Sequence, residues 1–161
     1  EHNGDYQDEA ILLAHPALGI TAMNVAPEYG TVETRSYLKL VELEKMLYDE
    51  GLISKKSNLK DCIRRESVAS RRWEKWMTDD TISKTTEELL QDEEIITKIT
   101  DISGHYTFNN EAVKNEIESL FYNLSEAGIN AQDYVIYKLK ESLDKYVETF
   151  NLKGYTSRLK K

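Results

Sequence analysis

Hydrophobic residues follow two different patterns along the chain. Residues 20–26, ITAMNVA, are apolar on both faces and are bounded by Gly19 and Pro27. A short run of this kind is typical of a strand buried on both sides in a parallel sheet. From Val32 onward, apolar residues recur at helical spacing instead. The pattern therefore predicts one strand over residues 19–26, followed by a series of helices.

Capping and turn residues set the expected limits of the helices. Asp8 is expected to cap a short helix from Glu9 to Ala14, which Pro16 ends. A capping box is predicted at Thr85 and Glu88. The further predicted helices cover residues 32–50, 57–77, 85–104, 109–128 and 130–152. Asn109 or Asn110 is expected to open the fourth of these helices, and Asn130 the fifth.

A lone strand presents a problem, because its backbone donors and acceptors need partners when they are buried. A twin subunit can supply those partners, and so can an earlier part of a longer chain. The sequence begins at Glu1 instead of Met. We therefore expect an α/β protein of which this mostly helical chain is the C-terminal portion.

Composition narrows the classes of function. Over 161 residues the formal net charge is −8, with a pI near 5.0, so nonspecific nucleic-acid binding is not expected. No apolar run approaches the roughly 18 residues that a membrane span needs. The single cysteine, Cys62, rules out an internal disulfide and fits the reducing cytoplasm.

The densest polar cluster is at the start of the chain. Glu1, His2, Asn3, Asp5 and Tyr6 bring together two carboxylates, an imidazole, an amide and a phenol. Such donors suit a divalent metal or the hydroxyl groups of a sugar. The alternative is an exposed, polar chain terminus.

Asn24 and Glu28 lie at the expected carboxyl end of the strand. Ligand-contacting residues occupy this position in parallel α/β folds. Asn24 is therefore a candidate catalytic residue, and Glu28 a candidate substrate-binding residue. The alternative for Asn24 is a structural role in tying down the loop.

Basic residues of one predicted helix suggest a phosphate site. Arg64, Arg65 and Arg72 share this helix with Trp73 and Trp76. Arginine binds phosphate or carboxylate through two parallel hydrogen bonds. The alternative is a solvated basic face.

His105 lies between two predicted helices and joins the candidate substrate-binding residues. A lone histidine is more often structural than catalytic. The sequence contains no Ser-His-Asp ordering, no HExxH motif and no dinucleotide fingerprint.

Three segments carry a resemblance to a known family. EHNGDYQD at the start is followed by GITAMNVAPEYGTVETRSYL, and GHYTF lies at residues 104–108. The chain resembles the non-catalytic, zeta-type subunit of class II tagatose-bisphosphate aldolase. Matching features include Pro27, Glu33 and Arg35. Asn3-Gly4 and residues 24–26 depart from the family pattern, which leaves room for another sugar substrate.

The resemblance implies a (β/α)₈ barrel, which needs about 250 residues. Residues 1–52 would be the end of the barrel, with residues 19–25 as strand eight and residues 32–50 as the eighth helix. Residues 53–161 would be a helical C-terminal extension. Glu1, His2, Asp5 and Asn24 would then be catalytic residues at the carboxyl face of the barrel, with Glu1 and His2 as ligands of zinc, manganese or a similar divalent metal.

Three functions remain open. By resemblance, the chain is an accessory subunit that supports a class II aldolase catalytic subunit. It can instead be a metal-dependent aldolase, epimerase or isomerase acting on a sugar or sugar phosphate. The third possibility is a helical interaction domain without chemistry. The expected partners are the catalytic subunit or further copies of the chain, together with a sugar phosphate, but neither nucleic acid nor membrane.

Overall fold

The computed structural model describes residues 2–159, and within them it contains helices and connecting segments but no strand. The expectation of an α/β fold, with the end of a (β/α)₈ barrel in residues 1–52, is therefore wrong. The α-helices are α1 (Glu9–Ala14), α2 (Pro27–Asp49), α3 (Leu59–Ser70), α4 (Asp79–Ile82), α5 (Thr86–Gln91), α6 (Glu93–Ser103), α7 (Glu111–Glu126), α8 (Ala131–Thr149) and α9 (Tyr155–Leu159).

The predicted strand at residues 19–26 is the main error of the sequence analysis. Residues 20–26 run without helix, turn or bend, but no second strand within residues 2–159 lies beside them. A ladder needs a partner on at least one edge. The segment is also not buried on both sides, since Thr21, Ala22 and Asn24 are exposed. Apolar character alone therefore misled the prediction.

Several predicted helix limits are confirmed. Asp8 caps α1, and the capping box of Thr85 and Glu88 opens α5. The side chains of Asn110 and Asn130 cap α7 and α8. The sequence was sufficient to predict these helix ends, because each capping side chain accepts from an amide in the first turn of its own helix.

Other limits differ from the prediction for local reasons. Helix α2 begins at Pro27, five residues early, because proline is well tolerated in the first turn. The predicted helix over residues 57–77 stops at Ser70, where Arg71 adopts a left-handed conformation with φ 53°. The predicted helix over residues 85–104 is interrupted at Asp92, whose carboxylate caps α6 by accepting from the Ile95 amide.

Two hydrophobic cores hold the helices together. The larger lies between α2, α3, α7 and α8. Its buried members are Tyr37, Leu40, Leu59, Ile63, Val113, Leu120, Leu124, Ala131 and Val135. The smaller core gathers Val68, Trp73, Leu89, Ile96 and Ile99 from α3, α5, α6 and the segment after α3. The Trp73 indole donates to the Val68 carbonyl at 3.1 Å, so its polar edge is satisfied inside this core.

Candidate functional site

The first residues of the chain lie against the beginning of helix α2. Asp5 is buried, and its Oδ1 accepts from the amides of Ala26 and Glu28 at 3.0 and 2.8 Å. The N-cap residue of α2 is Ala26, whose side chain cannot cap the helix. Asp5 therefore supplies, from more than 20 residues away, the capping group that the local sequence lacks. Its negative charge also lies at the favourable end of the helix dipole.

Glu28, in the first turn of α2, is the centre of the site. Its side chain accepts from the Tyr6 amide at 2.5 Å and from the Lys145 ammonium at 2.5 Å. The Tyr146 hydroxyl also donates to it, and the Ser142 hydroxyl lies 3.3 Å away. Glu28 itself is only 7% exposed. We call Asp5, Tyr6, Glu28, Lys145 and Tyr146 the Glu28 cluster.

Hydrogen bonding determines the protonation of this cluster. Burial raises the pKa of Glu28, but the hydrogen bonds from Lys145, Tyr146 and the Tyr6 amide outweigh it and hold that pKa below its ordinary value. Burial, together with the hydrogen bond to Glu28, raises the pKa of Tyr146. Near neutral pH the cluster is therefore an ionised carboxylate held by a lysine and a neutral phenol.

The same groups fasten the N-terminal segment, residues 3–7. Lys145 also donates to the Gln7 carbonyl at 3.3 Å, and the Tyr146 hydroxyl lies 3.2 Å from the Gly4 carbonyl. Asn3 and Tyr6 adopt left-handed conformations, with φ of 75° and 60°. Such a conformation costs a non-glycine residue on the order of 1–2 kcal/mol. The hydrogen bonds of the cluster offset this cost and keep the segment on the helices.

The Tyr6 side chain extends the connections to another helix. Its hydroxyl lies 2.7 Å from the Thr31 hydroxyl, which donates to the Asp101 carbonyl at 3.1 Å. The Asp101 carboxylate in turn binds the Arg35 guanidinium through both oxygens. The N-terminal segment is thereby linked to α6 as well as to α2 and α8.

The structure brings together five of the candidate residues from the sequence. Asp5, Tyr6 and Glu28 contact one another or the start of α2. Asn3 joins them through Asn24, whose Oδ1 accepts from the Asn3 amide at 2.8 Å. His2 is exposed. The predicted role of Glu1 falls outside the described residues.

The predicted metal site gains no support from the part of the chain that is described. Within residues 2–159, no three His, Cys, Asp or Glu side chains are arranged to hold a metal ion. His2 therefore lacks a set of described partners for such a role. Asp5 and Glu28 are occupied by amides, a hydroxyl and an ammonium group, which compete with any cation.

The predicted phosphate-binding residues lie apart from the Glu28 cluster. Arg64 forms two hydrogen bonds to the Glu93 carboxylate, at 2.8 and 2.6 Å. Arg65 is exposed, and the Arg72 guanidinium lies 5.3 Å from the centre of the Tyr106 ring. One arginine is thus paired with a carboxylate and another is stacked on an aromatic ring.

His105 has a packing role against helix α2. Its ring is so close to Gly30 that a Cβ on this glycine would lie 2.4 Å from the histidine Cγ. Burial lowers the pKa of His105, which favours the neutral ring. The contact with His105 therefore requires glycine at position 30.

Sequence reasoning missed Ser142, Lys145 and Tyr146 as members of the site. They lie on α8, more than 110 residues after Glu28 along the chain. The sequence offered only a weak indication of them, since Lys145 and Tyr146 are adjacent residues on the inner side of a predicted amphipathic helix. Only the packing of α8 against α2 brings them to the N-terminal segment.

An apolar groove lies beside the cluster. Tyr29, Ile136, Leu139 and Leu143 line it together with Lys140, and its volume is about 260 Å³. The Tyr29 ring packs edge-on against Tyr146, with 6.3 Å between ring centres. Ile136 and Leu143 are 41% and 47% exposed, so this side of α8 presents apolar surface to its surroundings.

Comparison with known proteins gives no match: no family model, no curated protein and no solved structure is similar to this chain. Within the described residues, no helix combines the length and apolar character needed to cross a membrane.

Proposed function

We propose that the chain has a non-catalytic, partner-binding role, as an accessory subunit that supports a class II aldolase acting on tagatose bisphosphate in the cytoplasm. The observation that carries the proposal is that the conspicuous carboxylates, Asp5 and Glu28, are used internally. The choice of partner follows from the resemblance of residues 1–38 and 104–108 to the accessory subunit family.

The state of the carboxylates favours a supporting role over chemistry. A general base needs a free lone pair within reach of a substrate proton. Glu28 instead accepts from Tyr6, Lys145 and Tyr146, and Asp5 accepts two backbone amides. A surface groove of about 540 Å³ includes Lys145 but neither carboxylate of the cluster.

The apolar groove on α2 and α8 is the contact surface that we assign to the partner. Buried interfaces gain much of their affinity from apolar and aromatic side chains that fill pockets. Ile136 and Leu143 are exposed large apolar residues, and Tyr29 is fixed between them and the cluster. The cluster would then act indirectly, by holding α8 in a fixed position against the start of α2.

The proposal is tested by measuring retro-aldol cleavage of tagatose bisphosphate. The chain and a class II catalytic subunit are assayed separately and together, each with and without a chelator. We expect the catalytic subunit to become more active or longer-lived when the chain is added. Chelator-sensitive turnover by the chain alone would contradict a non-catalytic role and favour the metal-dependent enzyme.

A groove variant with a matched control locates the contact. Ile136→Ser changes the groove, whereas Tyr122→Ser removes another exposed apolar side chain, on α7 and outside the groove lining. We expect Ile136→Ser to weaken the effect on the catalytic subunit about tenfold or more, with Tyr122→Ser close to wild type. Equal effects of the two changes would contradict this assignment.

A further inference from the structure

The segment of residues 20–26 has one paired edge and one unpaired edge. On the paired edge, the Asn24 carbonyl accepts from the Gly4 amide at 2.8 Å, and the Ala26 amide donates to Asp5. Both residues that face the N-terminal segment are even-numbered. In an extended chain, backbone groups of alternate residues point to opposite edges. An extended course of the segment would direct the backbone groups of the odd-numbered residues away from Gly4.

Those odd-numbered residues are Thr21, Met23 and Val25. Among the described residues, no group forms a hydrogen bond with their amides or carbonyls. Thr21 is exposed, and Met23 and Val25 are partly exposed. We call this side of the segment the outer edge. It carries three amides and three carbonyls on alternate residues, as one edge of an extended segment would.

The outer edge lacks the features that normally protect an unpaired strand. Proteins discourage pairing at exposed edges with charged side chains, proline or bulges. Residues 19–26 contain no charged residue, and the nearest proline, Pro27, lies in helix α2 beyond the segment. Thr21 and Val25 are β-branched and favour extended backbone.

We propose that the outer edge binds an extended segment of a partner protein by strand addition. The backbone groups of Thr21, Met23 and Val25 would bond to the partner's main chain. The edge itself defines this occupant, because only an extended backbone offers donors and acceptors at the matching repeat. The chain carries a charge of −8, which favours a partner segment with basic flanking residues. The inference does not depend on the proposed aldolase partner.

The probe is a synthetic peptide of alternating valine and threonine, with lysines at both ends. Its binding to the full chain is followed by fluorescence anisotropy, and the protected amides by hydrogen exchange. We expect slower exchange at Thr21, Met23 and Val25. A peptide N-methylated at alternate residues, on the edge that faces the chain, should not bind. Absence of protection at millimolar peptide would overturn the proposal.

A pair of variants separates the backbone from the side chain at position 23. Met23→Pro removes the outer amide, while Met23→Leu keeps it and changes only the side chain. We expect the first to weaken binding at least about tenfold and the second by less than about threefold. Circular dichroism confirms that each variant is folded, and an unfolded Met23→Pro is replaced by Thr21→Pro. Equal weakening by both types of change would contradict backbone pairing.

Analytical sedimentation of the chain without peptide tests whether a second copy of the chain binds at the outer edge instead. If two copies of the chain pair through this edge, a dimer should form that Met23→Pro abolishes. That result would overturn the choice of a partner segment, whereas a monomer supports it.

Discussion

Helix α2 carries a buried carboxylate near each end, and the two are held in different ways. Glu28 accepts from a lysine, a phenol and an amide, and fastens the N-terminal segment. Glu44 is 1% exposed and accepts from the amide and hydroxyl of Ser57 and from the Asn123 side chain, at 2.7–2.9 Å. Glu44 therefore has only neutral donors and joins α2 to α7 and the segment before α3.

The difference shows what a dense polar stretch can do in a small helical protein. Glu28 and Asp5 come from sequence that resembles an active site, yet both bind the protein's own backbone and side chains. Glu44 lies in an ordinary amphipathic helix and attracts no notice, although it is the more deeply buried of the two. A high density of polar residues in a sequence therefore does not tell whether their side chains stabilise the fold or take part in a reaction.

The largest effect is expected for Glu44→Ala. The change leaves one buried and two partly buried donors without an acceptor and opens a cavity, so we expect a loss of about 3–5 kcal/mol in the free energy of unfolding. Urea denaturation measures it. Glu42→Ala, at an exposed glutamate of the same helix, is the control and should stay within about 0.5 kcal/mol of wild type. A loss below about 1 kcal/mol for Glu44→Ala would contradict its structural role.

Glu28→Ala should be less costly, at about 2–3 kcal/mol in the same denaturation experiment. The Lys145 side chain is 29% exposed and can recover water when its partner is lost, whereas the Asn123 amide that donates to Glu44 is buried. The loss should be accompanied by greater protease sensitivity at residues 3–7. A loss larger than that of Glu44→Ala would reverse the proposed order of the two carboxylates.

Acid should weaken the contribution of Glu28 to stability. The pKa of Glu28 is lowered in the folded chain, whereas an unfolded glutamate titrates near about 4.3. The folded state therefore binds this proton less tightly. The stabilisation by Glu28 is present above about pH 4.3 and is lost as the pH falls through the folded-state pKa. We expect stability to decline less steeply below that pH in Glu28→Gln than in wild type, and equal slopes would contradict the assignment.

The smallest effect is expected for Arg35→Ala. This change removes the ion pair with Asp101, which is the part of the network around Tyr6 that is farthest from Glu28. The Arg35 side chain is 58% exposed and pairs with Asp101 at 2.6 Å. Exposed pairs contribute at most about 1 kcal/mol, and high salt screens them. Thermal denaturation should show a small shift that shrinks as salt increases. A shift as large as that of Glu28→Ala would show that the link carries more than surface charge.

The parts of the fold that local chemistry determines were predictable from the sequence. Caps at Asp8, Thr85, Asn110 and Asn130 marked helix starts correctly. The irregular conformation of residues 19–26 was not predictable, because their apolar side chains fit a buried strand. Only the absence of a neighbouring strand within the described residues shows that no ladder forms. Three of the five residues of the Glu28 cluster were candidates from the sequence, but Lys145 and Tyr146 depend on tertiary packing that no local pattern encodes.

The most direct test of the account is hydrogen exchange at the Tyr6 amide, which donates to Glu28 at 2.5 Å. Exchange is compared between wild type, Glu28→Gln and Glu44→Gln at neutral pH and low temperature. If Glu28 fastens the N-terminal segment, Glu28→Gln should accelerate exchange at Tyr6 about tenfold or more, with little change in Glu44→Gln. Unchanged exchange at Tyr6 in Glu28→Gln would contradict the structural role of the cluster and leave its carboxylate free for chemistry.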